Sequence, residues 1–227
     1  MKFIVFGLGN YGSSLGSKLV ELGHEVFGVD SSLTQVDKMK NKITYTVAMD
    51  ATNREAIMSL PIKEADATVI AIGEKEGTII LLAALLKQIG AKRIITRIVS
   101  PLQKAILESM ELKEFVYPEL DSAERNAYTL DFREVLDSHR VCEKYHIAEV
   151  LVPGRLIGLK ISDIEFEKKY DLQLITLKRS REERNMIGIS RNKRKTLGKV
   201  GPDLELNSGD ILVIFGETKK IGEFLLD

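Results

Sequence analysis

A doubly wound parallel α/β sheet followed by a small α+β module is the fold class the sequence predicts. Three observations predict it. Apolar strand-like runs alternate with helix-like runs through residues 1–117. Near-continuous apolar runs of this kind are the mark of parallel strands buried on both faces. A glycine-rich turn, Gly7-Leu8-Gly9-Asn10-Tyr11-Gly12, lies directly between the first strand and the first helix. After Pro118 the pattern changes to a long helix and then to short strands separated by turn residues.

The elements follow in order. Residues 2–6 read as the first strand, 13–22 as the helix opened by the glycine turn, and 25–29 as a second strand ending in Asp30. Residues 45–49, 67–72 and 93–99 supply three more strands, and 115–117 a short last one. Thr52-Asn53-Arg54-Glu55 reads as a capping box, and Ser100 before Pro101 as an N-cap with proline at the first helical position. Residues 120–136 read as one helix with Ala123, Ala127, Leu130 and Val135 on its buried side; small residues there permit close packing, including against another subunit. A polar connector is expected up to Tyr145. The second unit begins with a strand over 148–152. Ser162-Asp163-Ile164-Glu165 reads as a capping box for a helix reaching Tyr170, and 172–177 as a strand. Residues 178–195 are mostly charged, with an apolar island at 186–189, and read as a solvated hairpin; the sharper reading is a basic patch for an anionic ligand or a membrane partner. Asn207-Ser208-Gly209-Asp210 is a turn before a strand over 211–215 and a closing helix after Thr218. The expected domains are 1–119, a crossover helix and connector over 120–138, and 139–227.

Composition narrows the function classes. At 227 residues the chain has room for one large or two small domains. Lys+Arg and Asp+Glu both number 33, so the formal net charge is zero, which argues against bulk electrostatic binding to nucleic acid or to an anionic membrane. Cys142 is the single cysteine, so no disulfide forms within the chain and a reducing cytosol fits. No signal peptide is expected, and the longest apolar stretch, 78–86, falls short of the roughly 20 residues of a membrane span. Work at a membrane would need another chain as the anchor.

The glycine turn carries the chemistry. Gly7 allows the tight exit from the strand, Gly9 lets a phosphate approach the backbone, and Gly12 lets the helix pack closely on the sheet. The free N–H groups and dipole of the helix start favour an anion there. Asp30 follows Gly12 by eighteen residues, close to the roughly 20 expected of a carboxylate that binds ribose hydroxyls in a Rossmann-type fold. Ligands of such sheets sit outside the carboxyl ends of the strands. Asp50 at one such end has two readings: a bracket for adenine or ribose, with Ala51 and Thr52 beside it, or a helix cap. Ile72-Gly73-Glu74 has two as well: a backbone stretch that a base or ribose approaches, or an ordinary turn. Arg97 pairs with a phosphate or forms a surface salt bridge.

Taken in order, these motifs resemble the RCK family, the regulators of potassium conductance, and within it the cytosolic subunits of Trk/Ktr-type potassium uptake systems. The resemblance is carried by the glycine turn with Asp30, Asp50-Ala51-Thr52, Ala71-Ile72-Gly73, Tyr117-Pro118-Glu119, Val152-Pro153-Gly154, Gly158-Leu159-Lys160-Ile161 and Ser208-Gly209-Asp210-Ile211-Leu212-Val213. It implies a regulator rather than an enzyme: homodimers assembled into an octameric ring on the cytosolic face of a membrane-embedded transporter. ADP, ATP, AMP or NAD(H) binding in the first domain would change the ring. By position, Asp30, Ser31 and Ser32 would contact the ribose and Asp50 and Ala51 would flank adenine. Ile72, Gly73 and Glu74 would line the nucleotide, and Arg97 and Gln103 would lie near it. Glu119 would lie near the phosphates and help hold Mg or Ca, or would simply complement the helix dipole as a first-turn acid. ATP-responsive relatives often carry arginine where this chain has Asn10. The missing charge-assisted bond is worth about 1.5–3 kcal/mol and favours AMP, ADP or a dinucleotide over ATP. The alternatives are an NAD-dependent oxidoreductase, for which no placed acid or base is evident, and a stand-alone nucleotide sensor for another partner. His24, His139 and His146 have no metal-ligand spacing. Truncation of Asp30 is expected to weaken binding and leave the fold intact.

Overall fold

A computed structural model describes residues 1–184 and 190–227, with side chains outside 181–193. The chain divides into two compact units, Met1–Glu119 and Leu120–Asp227. The first alternates strand and helix: β1 (Lys2–Phe6), α1 (Asn10–Glu21), β2 (Glu25–Asp30), α2 (Leu33–Met39), β3 (Tyr45–Ala48), α3 (Arg54–Met58), β4 (Ala67–Ile70), α4 (Glu76–Ile89), β5 (Ile94–Arg97), α5 (Pro101–Ser109) and β6 (Glu114–Val116). The strand order is β3-β2-β1-β4-β5-β6 and every pairing is parallel. This is the doubly wound order, with its reversal between β1 and β4.

Alternation along the strands assigns the two faces. Ile4, Phe6 and Ile70 join one buried cluster with Ile79, Leu82, Leu86 and Leu107. Val5, Val26 and Val69 join another with Leu8, Val36 and Ile43. Successive residues of one strand thus enter two cores, and no polar face remains to break the apolar runs. Each fully buried large aliphatic side chain contributes roughly 1.5–3 kcal/mol. Ser100 caps α5 as expected, accepting from Gln103 N at 3.1 Å. The predicted cap at Thr52 is displaced by one residue: Asn53 Oδ1 accepts from Ala56 N at 3.1 Å, while the Thr52 hydroxyl turns to Asp50.

The second unit holds α6 (Pro118–Asp131), which starts in the first, then β7 (Val135–Arg140), β8 (Tyr145–Leu151), α7 (Ile161–Ile164), α8 (Phe166–Tyr170), β9 (Gln173–Arg184), β10 (Ser190–Thr196), β11 (Ile211–Glu217) and α9 (Thr218–Leu226). Its sheet is antiparallel in the order β10-β9-β11-β8-β7. One face buries Val150, Leu177, Leu212 and Ile214 against Ile221 and Phe224 of α9.

Several expectations for this unit are corrected. The helix expected to reach Leu136 ends at Asp131; Val135 is buried as a strand residue, and the expected connector holds β7. Ala123, Ala127 and Leu130 are exposed on α6, not buried. The predicted helix over 162–170 is two short helices, broken at Glu165, whose φ of 51° is left-handed. Ser162 caps nothing there; Lys160 is the N-cap residue and the Ser162 hydroxyl lies on Asp163. β9 and β10 pair from Lys178↔Thr196 to Arg184↔Ser190. The apolar island at 186–189 lies outside the described residues.

The glycine turn is sterically exacting. Gly7 has φ of +92°, and a Cβ on Gly12 would lie 1.9 Å from the Gly7 carbonyl oxygen. Gly12→Ala is expected to cost at least about 1–3 kcal/mol through overpacking, read as a lower midpoint in urea unfolding. An unchanged midpoint would show that α1 can retreat from the turn.

Candidate functional site

The reversal of strand order leaves a crevice at the carboxyl ends of β1 and β4, because the connections from these neighbouring strands run to opposite sides of the sheet. A cleft of about 780 Å³ lies there, lined by Gly7, Gly9, Asn10, Asp30, Asp50 and Gly73, among others. Small-molecule and cofactor sites are typically roughly 300–1,000 Å³. A Cβ built on Gly9 meets nothing within 4 Å, in contrast to Gly12, so the backbone at Gly9 is open to a ligand.

Helix caps distinguish this end of the sheet. α2, α3 and α5 each start under a side-chain cap, from Ser32, Asn53 and Ser100. α1 and α4 have none, and α1 has no acid in its first turn. Their N-cap residues, Gly9 and Lys75, both line the cleft. Two uncapped helix starts therefore direct N–H groups and positive dipole ends toward one space, an arrangement that accepts an anion.

Asp30 is positioned by β2, the neighbour of β1. Its Oδ2 accepts from Leu8 N at 2.7 Å and its Oδ1 from Ser32 N at 2.8 Å. The carboxylate fastens the glycine turn to the start of α2 and faces the cleft with its remaining lone pairs. Ser31 and Ser32 stand beside it on the same wall, with Gln35. At the end of β3, Asp50 Oδ1 accepts from both Thr52 N and Thr52 Oγ1 at 2.8 Å. These two bonds, chiefly the backbone one, hold its carboxyl below the usual carboxylate range, and Lys75 adds to the effect. Asp50 is therefore neither α3's cap nor a neutral acid; it is an ionised group in a local turn on the cleft wall, next to Ala51.

Arg97 ends β5 and lies across Gly73, where a Cβ would fall 2.6 Å from Nη1. A side chain at that position would displace the guanidinium. Arg97 Nη2 pairs with Glu119, at the start of α6, and Nη1 reaches Ala71 O at 3.5 Å. Arg97 Nε is buried with no partner among the described residues. The salt bridge expected for Arg97 exists, but its arginine side chain is only 17% exposed and forms a wall of the cleft. Glu119, considered for a metal, is committed to this guanidinium. Among the described residues no group of three or more His, Cys, Asp or Glu side chains is arranged to hold a metal ion. The donor set does not fit a metal held by the protein alone.

Of the residues singled out from the sequence, Gly7, Gly9, Asn10, Tyr11, Asp30, Ser31, Ser32, Asp50, Ala51, Ile72, Gly73, Glu74, Arg97 and Glu119 line the cleft. Gly12 lies beneath it, packed on the turn. Gln103 does not line it: fully buried, it accepts from Val99 N at 2.8 Å and donates to Arg97 O at 3.3 Å, which fixes the loop behind Arg97. Lys75, Thr78 and Gln35 also line the cleft and were not anticipated. Lys75 had a readable signal, a base directly after the Ile72-Gly73-Glu74 strand end; Thr78 and Gln35 had none.

The fold and the site together define a Rossmann-type domain with an adenine-nucleotide-sized cleft, joined to a small antiparallel module. Residues 3–118 match the TrkA-N domain family, and the chain belongs to that family. It is 28% identical over 223 residues to the Ktr system potassium uptake protein C of Bacillus subtilis, spanning 98% of this chain and 95% of that protein. Its fold is that of the GsuK RCK domain, with a TM-score of 0.62 at 16% identity over 99% of this chain and 47% of the other. The GsuK channel bound to NAD gives a TM-score of 0.63 at 15% identity, over 100% of this chain and 39% of the channel. The resemblance to RCK regulators read from the sequence is thus borne out. No helix among the described residues is long and apolar enough to cross a membrane.

Because Asp30 bonds two backbone N–H groups, the expectation that its truncation spares the fold is revised. Asp30→Ala is expected to destabilise the first unit by about 1.5–3 kcal/mol as well as to weaken ligand binding. Chemical unfolding and calorimetry on the same variant separate the two effects; wild-type stability would mean the Leu8 and Ser32 bonds are replaced by water without cost.

Proposed function

We propose that this chain is the nucleotide-sensing, gating subunit of a Ktr-type potassium uptake system, working at the cytosolic face of the membrane through a membrane-embedded partner. The observation that carries the reading is the cleft itself: two uncapped helix starts, an open Gly9 and Asp30, at the strand-order reversal. The relationship to a Ktr uptake protein along nearly the full length of both chains supports the transport role. The chain acts as a sensor, and its ligand works by binding one conformation more tightly than another.

In this reading the ribose hydroxyls bond Asp30, with Ser31 and Ser32 beside it. Asp50 and Ala51 flank the adenine, with Ile72, Gly73 and Glu74 along the ligand. The phosphates take the space between the starts of α1 and α4, where Arg97 exchanges its exposed partner Glu119 for a phosphate oxygen. The exchange is favourable because a pair with one solvated member is worth little, whereas an arginine–phosphate contact is charge-assisted and directional. Asn10 offers no charge to a third phosphate, so ADP, AMP and NAD(H) bind in preference to ATP. Calorimetry with AMP, ADP, ATP, NAD and NADH tests this. Asn10→Arg is expected to raise ATP affinity relative to ADP by roughly tenfold or more, the equivalent of one charge-assisted bond. An unchanged ATP/ADP ratio would remove Asn10 from the phosphate site, and absence of binding by all five would overturn the reading.

Assembly is proposed through α6. Leu120, Ala123, Ala127 and Leu130 recur at helical spacing, and all four are exposed, Leu130 at 84%. Such a stripe suits a second copy of the same helix, giving a homodimer from which the octameric ring is built. Leu130→Asp is expected to shift the chain toward monomer in sedimentation velocity while leaving nucleotide affinity per subunit unchanged. A distribution matching the wild type would place the dimer contact elsewhere.

A further inference from the structure

The sheet of the second unit carries a two-stranded arm. β11 pairs with β9 between Gln173 and Lys178, whereas β9 and β10 stay paired as far as Arg184↔Ser190. Among the described residues, 179–184 of β9 have β10 as their one neighbouring strand, and β10 is the edge of the sheet. That length of strand reaches about 20 Å. The base of the arm is held firmly. Arg179 donates Nε–H and Nη2–H to Asp210, at 2.8 and 2.6 Å, and Nη2–H also to Glu205 O at 2.8 Å. Asp210 is buried and accepts from Asn207 N as well, at 2.8 Å. Lys178 pairs with Glu149 of β8. The first two cations of the arm thus fix its root.

Beyond the root the charge is strongly positive. Arg181, Arg184, Arg191, Lys193, Arg194 and Lys195 stand against Glu182 and Glu183, in a chain whose formal net charge is zero. Strand alternation puts positions 181, 191, 193 and 195 on one face of the arm and 184 and 194 on the other. Lys193 lies opposite Arg181 in register, and Lys195 opposite Arg179. Like charges directly opposite each other destabilise a strand pair, and a two-stranded ribbon is marginal in water by itself. Arg194 and Lys195 are exposed, and their side chains form no ion pair or hydrogen bond with another described residue. Negative charge brought to the arm relieves its self-repulsion.

We propose that the β9–β10 arm docks on the anionic headgroups of a phospholipid bilayer, with its Arg184–Ser190 end foremost. Cationic positions on both faces suit a layer of anionic groups that surrounds the arm, rather than one molecule held on one face. In the sequence these cations flank Met186, Ile187 and Ile189. Basic side chains next to apolar ones suit the boundary between headgroups and acyl chains, whereas an acidic protein segment calls for the cations alone. The headgroup layer is roughly 5–8 Å deep on each side of a bilayer, so the arm can enter it while the rest of the sheet stays clear. The neutrality of the whole chain makes the contact local to the arm. The proposal rests on the Ktr-type reading only for its setting beside a bilayer. It uses no residue of the nucleotide cleft, so vesicle binding and nucleotide calorimetry fail independently.

Co-sedimentation of the full-length chain with lipid vesicles tests this. Binding is expected to vesicles of equal parts phosphatidylglycerol and phosphatidylcholine, not to phosphatidylcholine alone, and is expected to be lost in about 0.5 M KCl through screening. Each cation near an anionic surface is worth about a fivefold gain in partition. Arg194→Gln is therefore expected to weaken binding about fivefold, and Arg194→Gln with Lys195→Gln roughly thirtyfold. Lys38→Gln with Lys63→Gln, at exposed lysines of the first unit, is expected to leave it in place. No binding to the anionic vesicles, equal binding to the neutral ones, or equal losses in the two double variants would overturn the proposal. Binding to soluble poly-L-glutamate but not to vesicles would overturn it in favour of an acidic protein segment.

Discussion

The carboxylate of Asp30 is the contact on which the geometry of the first unit's cleft depends. One oxygen holds Leu8 N, in the glycine turn after β1; the other holds Ser32 N, at the start of α2. The two segments come from adjacent parallel strands, and the last backbone bond between those strands runs from Gly7 N to Val29 O at 2.7 Å. Beyond it a single side chain carries the register of the sheet. The turn it fastens has little freedom, since Gly7 is left-handed and Gly12 lies against the Gly7 carbonyl. A cleft built this way is preorganised: its backbone donors need not be gathered when a ligand arrives, so less of the binding free energy is spent on ordering.

The cleft's electrostatics follow from which helices are left uncapped. Where a side chain satisfies the first N–H groups, as at α2, α3 and α5, the helix start is complete by itself. Where no side chain does, at α1 and α4, the first N–H groups are left open to an anion. Arg97 adds a guanidinium that already has a carboxylate partner in Glu119. The partner exchange proposed above would give a sensor two states that differ in one ion pair, the kind of discrete alternative through which binding is coupled to shape.

Much of the first unit was legible in the sequence, and the second much less so. Strands buried on both faces read as apolar runs whatever their neighbours, and the glycine turn, Ser100-Pro101 and Asp30 each signal through local chemistry. β7 was hidden for a physical reason. It is an edge strand with a polar outer side, and its register shifts between Val135 and Asp137. A bulge moves the buried face from one set of alternate residues to the other, so Val135 and Ser138 are buried three positions apart, a spacing that imitates a helix. β8 was read too short because its buried row begins with His146, a polar residue whose partner Thr218 is 72 residues away. The capping box at Ser162 was a true local pattern overridden by the left-handed turn at Glu165.

The sequence by itself determined the βα alternation, the position of the glycine turn and the acid at the end of β2, because each depends on backbone conformation or burial within a few consecutive residues. Only the tertiary structure decided what depends on separation along the chain. It set Arg97 over Gly73 and paired it with Glu119, withdrew Gln103 into the support of that loop, brought Lys75 and Gln35 to the cleft, and joined the imidazole of His146 to the hydroxyl of Thr218. Those outcomes follow from which strand ends become neighbours when the sheets form, and residue spacing carries no record of that.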